Sequence, residues 1–214
     1  IKEELPILNK IIKANDTLSV QVHPDDEFSR KYENDNGKTE CWYILEAKEN
    51  STLVCGIKDG HTKESLAEVI EKGDIEKHLE KISVKPGDMI YIPSGTVHAI
   101  EGGLKLIEVQ QSSDVTYRMY DWGRDREDHI EKSLQVIDYE GKNKGGKIYN
   151  ATLYKKKKDK FDRVIYDIKA DGENLKDLKD RNIIFNLAII FNDRERYYEE
   201  YKELFMKYLC IANF

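Results

Sequence analysis

Four side chains in this sequence stand where β-structure would otherwise bury apolar ones. Gln21 and His23 lie two residues apart in "LSVQVHP", and Glu40 opens the strand-like run "ECWYIL". His98 closes "GDMIYIPSGTVHAI", in which Gly87 is followed by five residues, Pro93, one residue, Gly95, two residues and the histidine. Residues i and i+2 of a strand share a face, so Gln21 and His23 point together. A neighbouring strand lies about 5 Å away, within reach of Glu40. Two imidazoles, a carboxylate and an amide oxygen form a donor set for a first-row divalent metal with room for water. Zinc is the first choice, with iron, manganese or cobalt as competitors. Taken alone, His23 reads equally well as a satisfied polar or turn histidine. The convergence of four donors is what favours a metal.

The elements that must hold these groups are short and mostly β. The pattern predicts strands over Ile7–Ile12, Leu18–His23, Glu40–Leu45, Thr52–Ile57, Lys81–Val84, Met89–Ile92, Val97–Ile100 and Lys105–Gln111. Gly, Pro, Asn and Asp punctuate them. Glu27–Lys38 reads as a polar loop. Within Thr62–Ile82, Leu66, Val69, Ile70, Leu79 and Ile82 recur at helical spacing, interrupted near Gly73, which predicts about two short helices. The fold expected is mainly β, a barrel or jelly roll with a small helical insertion over 62–82. The chain turns polar after Asp121, and "EGKNKGGK" reads as a linker. "YKKKKDKFD" reads as a solvated basic loop. Arg194–Leu209 reads as a helix in which Tyr198, Tyr201, Phe205 and Tyr208 pack.

At this point the residues resemble a known family. The Gly87-to-His98 spacing is that of the second cupin motif. "LSVQVHPDD", "GKTECWYIL", "IPSGTVHAI" and "QQSSDVTYRMYDW" together resemble the type I mannose-6-phosphate isomerases, in their short bacterial form, over residues 7–138. The resemblance implies a zinc-dependent cupin that interconverts mannose 6-phosphate and fructose 6-phosphate through a cis-enediolate. It also implies Gln21, His23, Glu40 and His98 as metal ligands. Lys38, two residues before Glu40, matches a family active-site lysine. Asp114 and Arg118 match the family's Asp-x-x-x-Arg segment. Without the resemblance, these three read equally as a turn lysine, a capping aspartate and a salt-bridged arginine. Trp42 is expected to pack beside the site. Ser19 and Arg124 are candidate phosphate contacts. His61, His78 and His129 read as surface residues.

Composition narrows the remaining choices. The 214 residues carry a net charge of −6, against the basic excess of a nucleic-acid face. No apolar run reaches the length of a membrane span. Three cysteines, Cys41, Cys55 and Cys210, form no paired motif, which fits a cytoplasmic setting. The expected partner is a small sugar phosphate, not nucleic acid or membrane. A catalytic domain is expected over 1–145, with a segment missing before Ile1. A divergent or incomplete second β-rich part is expected over 146–214. The competing readings are a cupin module that binds a sugar phosphate without turnover, and a metal-dependent dioxygenase. Retention of Lys38, Asp114 and Arg118 argues against the first, and a Gln ligand against the second.

Overall fold

The computed structural model describes residues 7–141, 148–158, 164–170, 173–174 and 209–213. Strands dominate them, in the order β1 (Ile7–Ala14), β2 (Val20–Val22), β3 (Glu40–Ala47), β4 (Thr52–Ile57), β5 (Leu79–Ser83), β6 (Asp88–Ile92), β7 (His98–Ile100), β8 (Leu104–Gln111) and β9 (Tyr117–Tyr120). Three short helices join them: α1 (Asp26–Tyr32), α2 (Lys63–Glu71) and α3 (Ile130–Val136). Later in the chain come β10 (Ile148–Lys158), β11 (Val164–Ala170), β12 (Glu173–Asn174) and β13 (Leu209–Asn213).

Two sheets form the cupin sandwich. The larger runs β12-β11-β10-β6-β3-β8-β1-β13, and the smaller runs β5-β4-β7-β2-β9. Apolar clusters cover both faces of the smaller sheet. Alternation sends Leu53, Cys55 and Ile100 inward, onto Trp42, Ile44, Ile90 and Leu106 of the larger sheet. The intervening Val20, Val22, Val54 and Ala99 face outward, under Leu66 of α2 and Leu134 of α3. Such strands lack the clean polar alternation of a half-solvated sheet. Odd-even parity along β2 and β7 therefore leaves Gln21 and His98 on the inward face.

Several expectations shift. The stretch read as a polar loop contains α1, whose N-cap Asp25 accepts a hydrogen bond from Phe28 N at 2.8 Å. Asp26 and Glu27 occupy its first turn, and Arg30 and Lys31 its last. It offers too few apolar residues to show a period. The helical insertion is shorter than its spacing implied. Thr62 and Ser65 form a capping box that starts α2. A 3₁₀ turn spans Ile75–His78, and Leu79 and Ile82 belong to β5. The polar stretch after Asp121 contains α3, and Tyr117–Tyr120 is a further strand. The basic run begins inside β10, where pairing with β11 carries Tyr154–Lys158 as strand rather than loop. Residues 142–147 of the expected linker lie outside the described residues. So do residues 194–208 of the expected helix, with its four aromatics. From the expected second part, β10 pairs with β6 through Ile148↔Ile90, and β13 lies parallel to β1.

Two glycines are required by the approach to the site. A Cβ on Gly37 would lie 2.4 Å from backbone atoms of Asp25 and Asp26. Gly95 has φ +84°, and a Cβ there would meet Val136 O at 3.1 Å. Gly95 N also donates to His23 O at 2.8 Å, tying the turn before His98 to the end of β2.

Candidate functional site

His23, Glu40 and His98 meet in the interior, each about 1% exposed. One ligand atom from each lies within 4.8 Å of the others. Main-chain carbonyls orient both imidazoles. His23 Nδ1 donates to Val115 O at 3.0 Å, and His98 Nδ1 donates to Thr96 O at 2.8 Å. Each ring is thereby left with an Nε2 lone pair directed at Glu40. The Nε2–carboxylate separations are 3.2 Å for His23 and 3.9 Å for His98. In a tetrahedral zinc site with bonds of about 2.0–2.2 Å, ligand atoms sit about 3.4 Å apart.

The electrostatics suit a cation. Burial, then the Lys38 charge, push the His23 pKa down to about 3. Burial lowers His98 as well. Burial alone would raise the Glu40 carboxyl, but Lys38 Nζ at 3.3 Å overrides this and holds it well below the usual carboxylate range. At neutral pH both imidazoles are neutral and the carboxylate is ionised. His23 Nε2 and Glu40 Oε1 are then two acceptors facing each other. Both are buried without a hydrogen-bond partner. The orphaned His23 Nε2 costs about 1–3 kcal/mol, Glu40 Oε1 is compensated only by the Lys38 ion pair, and a cation shared between the two acceptors removes that cost. The donor set therefore fits a divalent metal.

The other expected residues fall around this cluster. Gln21 lies at its rim, half-buried, with its amide 3.3 Å from His98 Nε2. Lys38 Nζ also donates to Thr116 Oγ1 at 3.3 Å. Arg118 is paired with Gln21 across β2 and β9. Its Nη1 donates to Glu127 O, and its Nε is buried without a partner. Asp114 stands apart. It is exposed and lines a shallow cleft of about 290 Å³ with Glu33, Asp35, Thr116, Tyr117, His129 and Lys132. Arg124 is engaged by Asp121 and by Thr17 O, and Ser19 is buried.

Some neighbours escaped the sequence reading. Trp42 does pack beside the site, edge-on to His98 with ring centroids 5.4 Å apart. Its indole N–H also bridges two carboxylates, Glu40 Oε2 at 3.0 Å and Glu108 Oε2 at 3.1 Å. Glu108 is 4% exposed, and Lys10 Nζ pairs with its other oxygen at 2.9 Å. Burial and the nearby Glu40 charge raise its pKa. The i, i+2 alternation Leu106, Glu108, Gln110 in "LKLIEVQQ" was the signal available for it. The three remaining histidines are half-buried rather than plain surface residues. His61 Nε2 lies 2.9 Å from His78 Nδ1, and His129 touches Arg118.

Known proteins share sequence and fold with this chain. The family described as phosphomannose isomerase type I, catalytic domain, matches residues 1–42. Mannose-6-phosphate isomerase ManA of Bacillus subtilis is 46% identical over 143 residues, 64% of this chain and 45% of the relative. Mannose-6-phosphate isomerase of Streptococcus mutans is 47% identical over 153 residues, 69% of this chain and 46% of the relative. The chain thus spans about half the length of the curated relatives it matches. Among solved structures, mannose 6-phosphate isomerase from Bacillus subtilis superposes with a TM-score of 0.66 at 33% identity, covering 80% of this chain and 58% of that one. A putative mannosephosphate isomerase from Archaeoglobus fulgidus superposes at 0.56 and 26% identity, covering 68% of this chain and 47% of that one. By sequence and by fold, the described part of the chain is similar to the type I phosphomannose isomerases.

Proposed function

We propose that the chain carries the site of a metal-dependent aldose–ketose isomerase interconverting mannose 6-phosphate and fructose 6-phosphate. The observation that carries this reading is the pair of buried acceptors His23 Nε2 and Glu40 Oε1, 3.2 Å apart and neither hydrogen-bonded, with Lys38 ion-paired to the carboxylate and His98 behind them. The names of the relatives supply the substrate. Gln21, His23, Glu40 and His98 would hold the ion, Gln21 turning its amide oxygen inward. Zinc is the first choice, because imidazole and carboxylate donors in a compact set suit it. When bound, the ion supplies Lewis-acid stabilisation of negative charge on a sugar oxygen.

The chain's own residues supply the rest. Arg118 carries a permanently charged, planar set of donors with its Nε still unused. It stabilises charge developing on the substrate oxygens along the enediolate path. Lys38 keeps Glu40 ionised and ties it to Thr116. Asp114 and Lys38 are the candidates for moving a proton between C1 and C2 or for assisting ring opening. Residues 1–145 form the catalytic unit of a cytoplasmic enzyme, and 146–214 belong to an incomplete or divergent C-terminal part from which β10 and β13 extend the larger sheet.

The test joins elemental analysis of the purified protein to an isomerase assay on mannose 6-phosphate. About one divalent ion per chain and turnover abolished by a chelator are expected. Turnover by protein free of metal overturns the reading. Sugar-phosphate binding without turnover moves it to the binding module.

A further inference from the structure

Strand β9 is the outer edge of the smaller sheet, and Arg118 lies within it. In an antiparallel pair, a residue's N–H and C=O turn to the same side. For Arg118 that side faces away from β2, where the edge has no partner strand among the described residues. One residue occupies it. His129 N donates to Arg118 O at 2.7 Å. Arg118 N donates to His129 Nδ1 at 3.3 Å. A ring nitrogen thus stands in for the carbonyl that a neighbouring strand would offer. Two residues earlier, Glu127 O accepts from the Arg118 guanidinium. The segment is itself anchored, because His129 O accepts from Ser133 N at 2.9 Å, at the start of α3.

We infer that His129 is a positioning residue for Arg118: its ring nitrogen and backbone N–H fix the arginine main chain, and the Glu127 carbonyl beside it fixes the guanidinium. The inference rests on the isomerase reading for its catalytic consequence, but not for the clamp itself. Among the described residues, no hydrogen bond links His129 to Gln21, His23, Glu40 or His98. It fixes where the guanidinium reaches. A displacement of about 1 Å in such a group can cost about 100-fold in rate.

The test separates acceptor from ring. His129→Phe keeps a ring and loses the acceptor. His129→Asn loses the ring and keeps an acceptor at the same position, Oδ1 for Nδ1. His129→Ala serves where Phe disturbs packing on Tyr117. ¹⁵N NMR on the whole chain reads exchange of the Arg118 amide and the shift of its Nε–H. His129→Phe is expected to speed that exchange and move the Nε–H signal, with His129→Asn close to wild type. On mannose 6-phosphate, His129→Phe is expected to lower kcat about 10- to 100-fold, with KM little changed and metal content intact. His129→Asn should recover most of the loss. An Arg118 amide equally protected in His129→Phe overturns the inference, and so does wild-type kcat in that variant. If the wild-type protein shows no turnover, the isomerase reading fails and the NMR arm still decides the clamp.

Discussion

Trp42→Phe tests the interior polar layer most directly. The indole is fully buried, and its N–H is shared by two carboxylates, Glu40 and Glu108. Phenylalanine keeps the edge-on contact with His98 but donates nothing. A hydrogen bond to a charged group contributes about 1.5–3 kcal/mol, and the bridge has one proton to lose, so a single such contribution applies. The smaller ring leaves a gap of roughly methylene size or more, adding about 1–2 kcal/mol. The sum is about 2.5–5 kcal/mol, at or below the 5–15 kcal/mol stability typical of a domain, so the variant should fold. Ile44→Val, on the same strand and equally buried, removes only a methylene and should cost about 0.5–1.5 kcal/mol. Denaturant midpoints of the metal-stripped proteins measure both. Because the indole also orients Glu40, metal affinity should fall about 10- to 100-fold. A Trp42→Phe cost no larger than that of Ile44→Val, with unchanged metal affinity, would refute the bridging role.

Further expectations are checked by simpler measurements. His98→Ala should lower metal occupancy far more than His61→Ala, by elemental analysis of equally purified proteins. Arg118→Lys should keep its metal, lose about 10²–10³-fold in kcat and change KM much less, in steady-state assays on mannose 6-phosphate. Gly95→Ala forces φ +84° on a residue with a Cβ and crowds Val136 O, so a loss of about 1–3 kcal/mol should appear in its unfolding midpoint. Burial and then His78 lower the pKa of His61, so below the ordinary histidine range the unfolded chain binds a proton that the folded one resists. Stability should therefore fall as the pH drops from 7.5 to 5.5, and His78→Asn should lessen that fall.

The candidate donors were legible because strand parity and turn spacing are local. Gln21, His23 and His98 sit on elements whose period declares their facing, and Glu40 needed only an adjacent strand. The eight predicted strands reappear within a few residues of their expected ends. What escaped depends on contacts distant in sequence. Glu108 looks like a surface carboxylate until β8 pairs with β3 and turns it toward Trp42. His129 looks idle until the edge of β9 needs a partner. α1 and α3 hide in polar stretches because each buries only one or two side chains. Leu79 and Ile82 stand three residues apart, as on a helix, yet both lie in β5.

The carbonyls behind the two imidazoles carry a consequence for how this site can vary. His23 and His98 are oriented by Val115 O and Thr96 O, which are main-chain atoms. A side-chain carboxylate in that place would vanish with a single codon change. A carbonyl survives every substitution at its own position. Thr96 and Val115 can therefore drift without altering which ring nitrogen carries the proton. Orientation is lost only when the backbone moves, so the sensitive positions lie elsewhere, at Gly95 and at the residues that fix the course of the 113–117 turn. Substitution scans should find tolerance at 96 and 115 beside intolerance at 95, a pattern opposite to what distance from the ligands alone would rank.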